Sequence, residues 1–528
     1  MRQLLILSFC FFPFFLHSQD GTFDQRFAAG GKLVYETDRQ PFSHALSVVQ
    51  KDGKILVAGT LAETGNFNQF TLLRLLADGT PDQSFGNGGT ATVHSSTPQA
   101  PDFITGLVVQ KDGKIVISGT IYKQLNSLGS LIAHFATIRL LPNGSLDQSF
   151  NVTGKVLADM STVAAHTQAM ALQPDGKIIV AGGVNLGISP DEWDAVLIRY
   201  RPDGSLDPTF GVNGKVVSIP GNFRGENILS LAFQPDGRII GSGWVSASGS
   251  SRFALFRYTI TGRLDSSFGG SGIVMKSASS NSQGGVIERL EAVKVLKDGN
   301  FITVGRYIPP QQQQQFVKQV ALRFKSDGSL DSSFGTNGLS TLADYGSLHD
   351  LLVQKDGKVI AVGALFPTPQ PTGSKLMAVR FNHNGSVDQN FGTNGKTIIG
   401  GNGISKASCD FQDSNILAVT ALFNSVEGDW LIARLNNSVG PEISPLSMQR
   451  EITLFPNPGK AFQLRFMGYE ERVKIIIYDA AGRLYHQQDN EVVDQILIDV
   501  KTQLLASGIY FVVIHTAEGT ITKRFIKQ

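Results

Sequence analysis

Residues 171–182 read ALQPDGKIIVAG, and the fold of this chain follows from how often that stretch returns. An Asp-Gly pair stands between short apolar runs that are rich in Val, Ile and Leu. Glycine takes positive φ without penalty, so Asp-Gly between such runs is typical of a β-hairpin. Runs of about six residues favour strands over helices. The stretch therefore predicts two antiparallel strands joined by a tight turn.

The hairpin pattern recurs along the chain at a nearly constant spacing. Its turn glycines are Gly53, Gly113, Gly176, Gly237, Gly299 and Gly357. A degraded seventh copy, FQDSNILAV, has Ser414 at the matching position. A period of roughly 60 residues suits a four-stranded blade with its loops. In the first period we predict strands at Ala45–Gln50, Lys54–Gly59, Phe70–Leu76 and Gly89–Val93.

A second motif, RYRPDGSLDPTFGVNG from Arg199, keeps the same period. Its aspartates are Asp82, Asp147, Asp207, Asp265, Asp331 and Asp388, and its phenylalanines are Phe85, Phe150, Phe210, Phe268, Phe334 and Phe391. The second half of the motif also opens the array, with Asp24 and Phe27, and the first half closes it, with Arg434. Complementary half-motifs at the two ends predict a closed ring, which leaves no long exposed sheet edge.

We therefore predict an all-β chain in which a seven-bladed β-propeller is followed by a small C-terminal β-sandwich. Closure should pair an outer strand near Lys32–Tyr35 with the strand Trp430–Leu435. Over about residues 20–437, the VVQKDGKILVAG and DGSLDPTFGxxG patterns resemble the delta-60 repeat of bacterial secreted proteins. That resemblance implies a propeller-like architecture and implies no activity.

Residues 1–18, MRQLLILSFCFFPFFLHS, read as a secretory signal peptide, with Arg2 before a short apolar run. An uncleaved membrane anchor is the alternative. No second hydrophobic run is long enough to span a bilayer. Removal of Cys10 with the signal peptide would leave Cys409 as the remaining cysteine, so no intramolecular disulfide is expected. A net charge of +2 argues against a nucleic-acid-binding face.

The repeat region is assigned to residues 19–437, and residues 438–450, rich in Gly, Pro, Ser and Asn, read as a linker. Residues 451–528 form the predicted sandwich, with strands in VKIIIYDAAGRLY and ILIDV and a final hairpin about Glu518-Gly519. This region resembles the C-terminal sorting domain of type IX secretion substrates of the Bacteroidetes group. The matching segments are Pro456–Pro458, Ile477–Leu484, Leu505–Phe511 and Lys523–Ile526.

The second resemblance implies where the protein goes. It implies export by the signal peptide and outer-membrane translocation by the type IX secretion machinery acting on residues 451–528. Removal of the sorting domain would follow, with release from the cell or attachment to surface lipopolysaccharide. An ordinary accessory sandwich is the alternative. We expect a monomer.

The repeated aspartates are candidates for acid–base chemistry, but a residue present in every blade is better explained by a role in the blade. We hypothesise Arg–Asp pairs between adjacent motifs. Asp203 and Asp207 invite a calcium site, although the further oxygen ligands of an EF-hand are missing. Scattered histidines show no HExxH motif, and neither GxSxG nor a P-loop is present. The sequence thus predicts no catalytic residue, no metal and no cofactor.

Three tryptophans, Trp193, Trp244 and Trp430, could stack on sugars, although non-periodic aromatic residues are more often packing residues. Trp193 is preferred because it lies in a variable insertion, Gly187–Trp193. Further insertions occupy Ile308–Phe316 and Pro367–Gly373. The leading hypothesis is a secreted or surface-attached module that binds a glycan or protein through one face. A propeller-type glycoside hydrolase or lyase, and a structural surface component, are the alternatives. The identity of the ligand cannot be predicted from the sequence.

Overall fold

A computed structural model describes most of the repeat region and parts of the C-terminal region. The described residues are 19–36, 44–63, 67–94, 102–125, 131–160, 164–185, 193–218, 225–247, 250–278, 287–308, 317–367, 373–422, 429–441, 451–455, 462–467, 471–492, 497–500, 506–516 and 519–527. The predicted signal peptide, at residues 1–18, lies outside them, as do residues 442–450 of the predicted linker. Two compact units divide the chain, one made chiefly of the repeats and the other chiefly of the C-terminal region.

In the repeat region, each repeat unit contributes four antiparallel strands to a sheet. The first strands of the seven units are β2 (Leu46–Val49), β6 (Phe103–Val109), β10 (Ala164–Leu172), β14 (Gly225–Phe233), β18 (Ile287–Val295), the second half of β21 (Leu339–Val353) and β25 (Ser408–Gln412). The second strands are β3 (Ile55–Glu63), β7 (Ile115–Leu125), β11 (Ile178–Asn185), β15 (Ile239–Ala247), β19 (Phe301–Ile308), β22 (Val359–Phe366) and β26 (Asn415–Ala421).

The third and fourth strands of each unit follow the second strand in the sheet, so they are not adjacent to the first strand. The third strands are β4 (Phe67–Leu75), β8 (Leu131–Leu140), β12 (Asp194–Tyr200), β16 (Ser250–Tyr258), β20 (Lys318–Phe324), β23 (Lys375–Phe381) and β27 (Trp430–Leu435). The fourth are β5 (Thr90–His94), β9 (Lys155–Ala158), β13 (Lys215–Ser218), β17 (Ile273–Lys276), the first half of β21, β24 (Lys396–Gly400) and β1 (Lys32–Tyr35).

The first strands contact one another in a closed circuit, β2 with β6, β6 with β10, and so on through β25 and back to β2. They are therefore the innermost strands, and the predicted propeller architecture is confirmed. Buried apolar side chains fill the space between neighbouring sheets, as where Phe70 and Leu72 of the first unit pack with Ile117 and Ile138 of the second. Burial of such side chains is the main stabilising term of the ring.

The ring closes through the N-terminal strand, as predicted. Strand β1 pairs antiparallel with β27, with Lys32 opposite Ala433 and Tyr35 opposite Trp430. The strand order β1–β27–β26–β25 makes this sheet equivalent to the others, although its outer strand comes from the opposite end of the repeat region.

The fifth and sixth units share a strand. Strand β21 pairs with β20 through its first half and with β22 through its second half, and Tyr345 pairs on both sides. The two units consequently merge into one sheet of seven strands. Within the described part of the repeat region, the strands of the seven repeats therefore form six hydrogen-bonded sheets.

The Asp-Gly turns have the conformation that their composition predicts. Gly176 has a φ of +82° and donates its N–H to the Gln173 carbonyl at 2.9 Å. In the degraded copy the turn is shorter, because Gln412 pairs directly with Asn415. The positive φ there belongs to Asp413, at +56°, and not to Ser414.

An arginine, an aspartate and a phenylalanine link each unit to the next. In the third unit, Arg199 Nε lies 2.9 Å from Asp207 Oδ2 and its Cζ lies 4.4 Å from the Phe210 ring centre. Its Nη1 donates to the Ile260 carbonyl of the fourth unit at 2.6 Å. Phe210 also packs on Gly262 of the fourth unit, where an added Cβ would lie 2.8 Å from the ring. We call these contacts the arginine link.

The arginine link recurs around the whole ring. The Arg–Asp pairs are Arg74–Asp82, Arg139–Asp147, Arg199–Asp207, Arg257–Asp265, Arg323–Asp331, Arg380–Asp388 and Arg434–Asp24. The ion pairs confirm that the two residue types associate, but the expectation that they pair between adjacent motifs is wrong. The turn folds back through a bridge between Tyr200 and Leu206, so each aspartate returns to the arginine of its own motif. The hydrogen bond to the next unit's turn makes the connection between units.

The C-terminal region forms two sheets. Their strands are β28 (Glu451–Phe455), β29 (Phe462–Met467), β30 (Glu471–Asp479), β31 (Leu484–Val492), β32 (Leu497–Val500), β33 (Gly508–Thr516) and β34 (Gly519–Lys527). The sheet orders are β28–β29–β32 and β31–β30–β33–β34. Leu464 of the first sheet packs with Val473, Ile475 and Phe525 of the second. This core between two sheets confirms the small β-sandwich.

Truncation of Phe391 tests ring closure against truncation of Phe85, its equivalent in the first unit. Both side chains are fully buried, and Phe391 packs on Gly21 of the N-terminal half-motif just as Phe85 packs on Gly144. Each change to Ala should lower the free energy of unfolding by about 3–5 kcal/mol, measured with guanidinium chloride on the full chain. A cost for Phe391→Ala under half of that for Phe85→Ala would contradict closure by the N-terminal segment.

Candidate ligand-binding site on the loop face

One face of the ring carries the same residues in every repeat, and the other face carries residues that differ between repeats. We call the face that carries the Asp-Gly turns, such as residues 173–176, the hairpin face, and the face where the innermost strands begin the loop face. On the hairpin face every unit uses the arginine link, so these residues are committed to the architecture. The predicted insertions fall in the sequence between second and third strands, and residues 187–192, 309–316 and 368–372 of them lie outside the described residues. Non-repeated side chains at the loop face are therefore the functional candidates.

The repeated aspartates are occupied by the arginine link. Burial raises the pKa of Asp207, but hydrogen bonds from Thr209 and the charge of Arg199 together lower it to about 2. The carboxyl is thus ionised at physiological pH and holds no proton to donate. Asp203 accepts hydrogen bonds from the N–H and the hydroxyl of Ser205 at 2.9 and 2.7 Å. Within the described ranges, no group of three or more His, Cys, Asp and Glu side chains is arranged to hold a metal ion.

A row of polar and aromatic side chains crosses the loop face from the third unit to the fourth. Trp193 lies against His166, with ring centroids 4.3 Å apart and planes inclined at 53°. His166 Nε2 and Asn227 Nδ2 are 2.7 Å apart, so the amide donates to an unprotonated ring nitrogen. Burial lowers the pKa of His166 to about 4, which keeps the ring neutral. These side chains bridge two units through contacts that the repeat does not require.

The row continues into the fifth unit. Asn227 lies directly across the strand pair from Trp244. The Arg289 guanidinium lies 5.5 Å from the centre of the Trp244 ring, within cation–π distance. Arg289 is in turn opposite Arg306, whose Nε lies 3.6 Å from the Glu291 carboxylate. We call the following set the loop-face row: Trp193, His166, Asn227, Trp244, Arg289 and Arg306.

Apart from Trp193, which directly precedes the third strand of its unit, the members of the loop-face row occupy one structural position in successive repeats. The cross-strand pairs at this position, from the second unit to the sixth, are Phe103–Thr120, His166–Gly183, Asn227–Trp244, Arg289–Arg306 and Ser347–Ala364. The backbone position is thus the same in each repeat, whereas the side chains at that position differ in size, polarity and charge. Such variation on a rigid scaffold is typical of a surface that recognises a ligand.

The row adjoins the central channel, and the charged side chains among the described residues that line it come from three units. The innermost strands enclose a cavity of about 280 Å³. Its ionisable lining residues, which we call the charged sector, are Glu291, Lys294, His349, Asp350, Lys406, Cys409 and Asp410. All of these come from the fifth, sixth and seventh units. The first four units line the cavity with uncharged residues such as Leu107, Met170 and Leu231.

Two members of the charged sector, Glu291 and His349, lie at β-bulges and line the cavity. The register between first and second strands shifts by one residue at Glu291 and at His349, which leaves each outside the ladder. A bulge redirects the side chain it carries, and bulges are frequent next to functional sites. The same bulge carries Thr105, Gln168 and Leu229 in the second to fourth units. All five bulged residues line the cavity.

The His349 ring is held on both sides. Its Nδ1 accepts the Ala407 N–H at 2.9 Å, and its Nε2 lies 2.5 Å from the Ser347 hydroxyl oxygen. Burial lowers the pKa of His349 to about 3. With both nitrogens engaged and the ring neutral, His349 is suited to holding the channel wall in place and not to transferring protons.

The two aspartates of the charged sector tie innermost strands together. Asp350 Oδ2 accepts the Cys409 N–H at 3.0 Å, and Asp410 Oδ2 accepts the Val49 N–H at 2.7 Å. These bonds connect the sixth unit to the seventh and the seventh to the first. The other oxygen of each carboxylate accepts the N–H of the following residue at 2.8 Å. Both carboxylates are thus used as links between strands.

A buried acid lies beside the row. Glu226 is 2% exposed, and one of its carboxyl oxygens has no hydrogen-bond partner among the described residues. Burial raises the pKa of Glu226 to about 8, the charge of Asp194 adds to the rise, and a bond from the Ala195 N–H opposes it. Glu226 is therefore protonated at neutral pH.

The tryptophans divide between the site and the core. Trp193 and Trp244 are partly exposed and belong to the loop-face row. Trp430 is fully buried and stacks on Tyr35 of the closure strand, with ring centroids 6.2 Å apart. Of the two interpretations of Trp430, the structure shows packing and not a sugar platform, because its buried ring supports ring closure.

Sequence reasoning missed His166, Asn227, Arg289 and the charged sector. A signal for them exists in the repeat itself. When the hairpin motifs are aligned, the residues two positions before the bulge change from Phe to His, Asn, Arg and Ser, while the residue directly before the bulge is Ile or Leu in four of these five repeats. Columns that vary in chemistry within a repeating framework mark the site, and the repeated columns do not.

Fold and site together define a repeat β-propeller whose candidate ligand-binding side chains lie on one face. The family model described as Domain of unknown function (DUF5122) beta-propeller matches residues 50–85, 110–150, 173–210 and 234–268. The model described as Secretion system C-terminal sorting domain matches residues 453–528. The chain thus carries DUF5122 β-propeller repeats and ends in a type IX sorting domain.

The C-terminal sorting domain indicates where the protein is delivered. A type IX sorting domain is handled by the type IX secretion machinery, and the protein is secreted or displayed on the cell surface. The part of the chain that the structure describes holds no helix with the length and hydrophobicity that a bilayer crossing requires.

Several solved structures resemble the chain weakly. An ulvan lyase bound to -[GlcA(1-4)Rha3S]- has a TM-score of 0.42 at 10% identity and covers 77% of this chain and 97% of its own. An α-L-arabinofuranosidase from Fusarium graminearum has a TM-score of 0.38 at 10% identity, covering 62% and 93%. Drosophila Plexin A in complex with Semaphorin 1b has a TM-score of 0.33 at 9% identity, covering 76% and 88%. Scores this low support no inference about a ligand. No curated protein matches the chain significantly.

Replacement of Glu226 by Gln should change how stability depends on pH. The folded state keeps the Glu226 proton up to a pH of about 8, whereas an unfolded glutamate loses it near a pH of about 4.3. The contribution of the Glu226 proton to the free energy of unfolding is complete at a pH below the unfolded-state pKa of about 4.3. It is lost as the pH rises through the folded-state pKa of about 8. Wild type should lose up to about 1.4 kcal/mol per pH unit relative to Glu226→Gln across that window. Guanidinium unfolding of both proteins would measure this, and parallel pH curves would contradict it.

Proposed function

We propose that this secreted or cell-surface protein is a non-catalytic binding module that takes a glycan along its loop-face row. The supporting observation is the row itself, a run of non-repeated side chains over three units in which the aromatic and cationic groups are partly exposed, while the buried Asn227 amide holds His166 in place. Aromatic faces and planar hydrogen-bonding groups on a rigid scaffold suit sugar rings, which present both C–H and hydroxyl surfaces. Residues 19–437 would form the binding propeller, and residues 451–528 would serve export.

The contacts of the candidate acids favour binding over turnover. Glycoside hydrolysis uses a pair of carboxyl groups, one of them protonated, on either side of the scissile bond. In the charged sector, both oxygens of Asp350 and of Asp410 accept backbone N–H groups. Glu291 is paired with Arg306, and charges around it hold its pKa below the usual value despite burial.

A glycoside hydrolase or lyase is the second candidate, because the channel does gather non-repeated carboxylates. Glu291, Asp350 and Asp410 line one cavity together with Lys294 and Lys406. A reaction there would require Asp350 or Asp410 to leave its strand contacts. We therefore treat product release as the outcome that decides between binding and catalysis.

A purely structural surface role finds less support. Exposed apolar residues do occur at matching positions of five outer strands: Val34, Leu157, Val217, Met275 and Ile398. Each belongs to a different unit, so these side chains are distributed around the ring. A docking surface between copies would be expected to gather them in one patch.

The proposal is tested by screening the chain without residues 1–18 for binding to an array of polysaccharides. Each polysaccharide that binds is then titrated by calorimetry. Trp193→Ala should weaken binding tenfold or more, about 1.4 kcal/mol, because it removes the aromatic end of the row. Val212→Ala is the matched control, since Val212 belongs to the same unit, lies on the hairpin face and is 78% exposed. Equal affinity in both variants, or release of shortened sugars from any hit, would contradict the proposal.

A further inference from the structure

Two arginines face each other at the channel end of the loop-face row. Arg289 on β18 and Arg306 on β19 are directly opposite in the antiparallel register. Directly opposite side chains project from the same face of a sheet with Cβ atoms about 5 Å apart, and like charges there destabilise the sheet. Burial, with the charge of Arg306 added to it, lowers the pKa of Arg289. The equivalent pairs His166–Gly183 and Ser347–Ala364 carry no such repulsion.

The positive charge is only partly compensated. Glu291 lies 3.6 Å from Arg306 Nε, and Lys406 also acts on the Glu291 carboxylate. The neighbouring His349 is neutral because its pKa is about 3. Three cations therefore surround one carboxylate. Among the described residues, the buried Nε of Arg289 has no hydrogen-bond partner. The cluster carries excess positive charge and an unused donor.

Trp244 holds one of the two guanidinium groups in place. The Arg289 group lies over the Trp244 ring at 5.5 Å. Stacking of this kind fixes the guanidinium plane and leaves its edge donors free for a planar acceptor. Trp244 is partly exposed, so the stacked pair is reached from the loop face. A pre-oriented arginine loses less conformational entropy when it binds.

We propose that Arg289 and Arg306 form a subsite for an acidic group, a carboxylate or a sulfate, carried by the glycan in the loop-face row. The inference rests on the proposed function and adds a charge requirement to it. Guanidinium forks bind such oxyanions through paired charge-assisted hydrogen bonds, and an oxyanion between the two arginines would relieve their repulsion. The cost of placing two like charges in one cross-strand pair is thereby offset when ligand is bound.

The test compares acidic and neutral forms of one polymer on the full chain. Dextran sulfate is paired with dextran, and polygalacturonate with its methyl ester, so the two pairs distinguish sulfate from carboxylate. Wild type should bind the acidic member of at least one pair tenfold more tightly, with affinity that falls as salt rises. Arg306→Gln should remove that preference. Its melting temperature is measured in parallel to show that the variant is folded, because the change removes both the repulsion with Arg289 and the ion pair with Glu291.

Arg263→Gln is the matched control, because Arg263 is an exposed arginine of a hairpin-face turn. It removes the same charge from the opposite face and should keep the preference. A wild type that binds both members of each pair equally overturns the subsite and leaves the proposed function standing. A preference that Arg306→Gln retains also overturns it, whether or not Arg263→Gln retains it. Failure of wild type to bind any glycan of the array overturns the proposed function, and the subsite with it.

Discussion

One arginine in every repeat holds the ring together, because it bonds an aspartate of its own unit and a turn of the next. Arg199 illustrates the geometry, with Asp207 at 2.9 Å, the Ile260 carbonyl at 2.6 Å and the Phe210 ring against its guanidinium. At the closure, Arg434 and Asp24 complete the same contact from opposite ends of the repeat region. A seven-membered circuit with no free end needs both half-motifs. The repeated charged residues are consequently fixed by architecture and are not available for recognition.

Function is then left to the residues that do not repeat. They lie at the loop-face ends of the strands, away from the arginine link. There the same bulge and the same cross-strand pair recur in successive repeats, but the residue types at these positions differ. The loop-face row and the charged sector are two parts of one such surface, joined where Arg306 meets Glu291. Opposed arginines and a buried protonated glutamate each disfavour the folded state locally. Local costs of this kind are typical of sites under functional constraint.

The sequence predicted the repeated features and, apart from Trp193 and Trp244, missed the variable side chains of the site, for physical reasons. The hairpins, the ring and its closure through Lys32–Tyr35 follow from turn chemistry and from complementary half-motifs, and the structure has them. The location of the Arg–Asp pairs was predicted wrongly, because the fold-back of the turn after Tyr200 depends on a bridge that strand patterns do not reveal. The contact of His166 with Asn227 joins residues in neighbouring units, and the aim of Glu291 depends on a register shift. Neither is encoded in local periodicity.

Hydrogen–deuterium exchange of the full chain, with and without its tightest glycan from the array, tests most directly the claim that one face binds and the other holds the ring. The account predicts slower exchange at the loop-face ends of β10, β14 and β18 and in residues 193–196. Turns of the hairpin face, such as residues 77–79 and 203–205, should exchange at unchanged rates. Protection confined to those turns, or to residues 471–527, would contradict the assignment of recognition to the loop face.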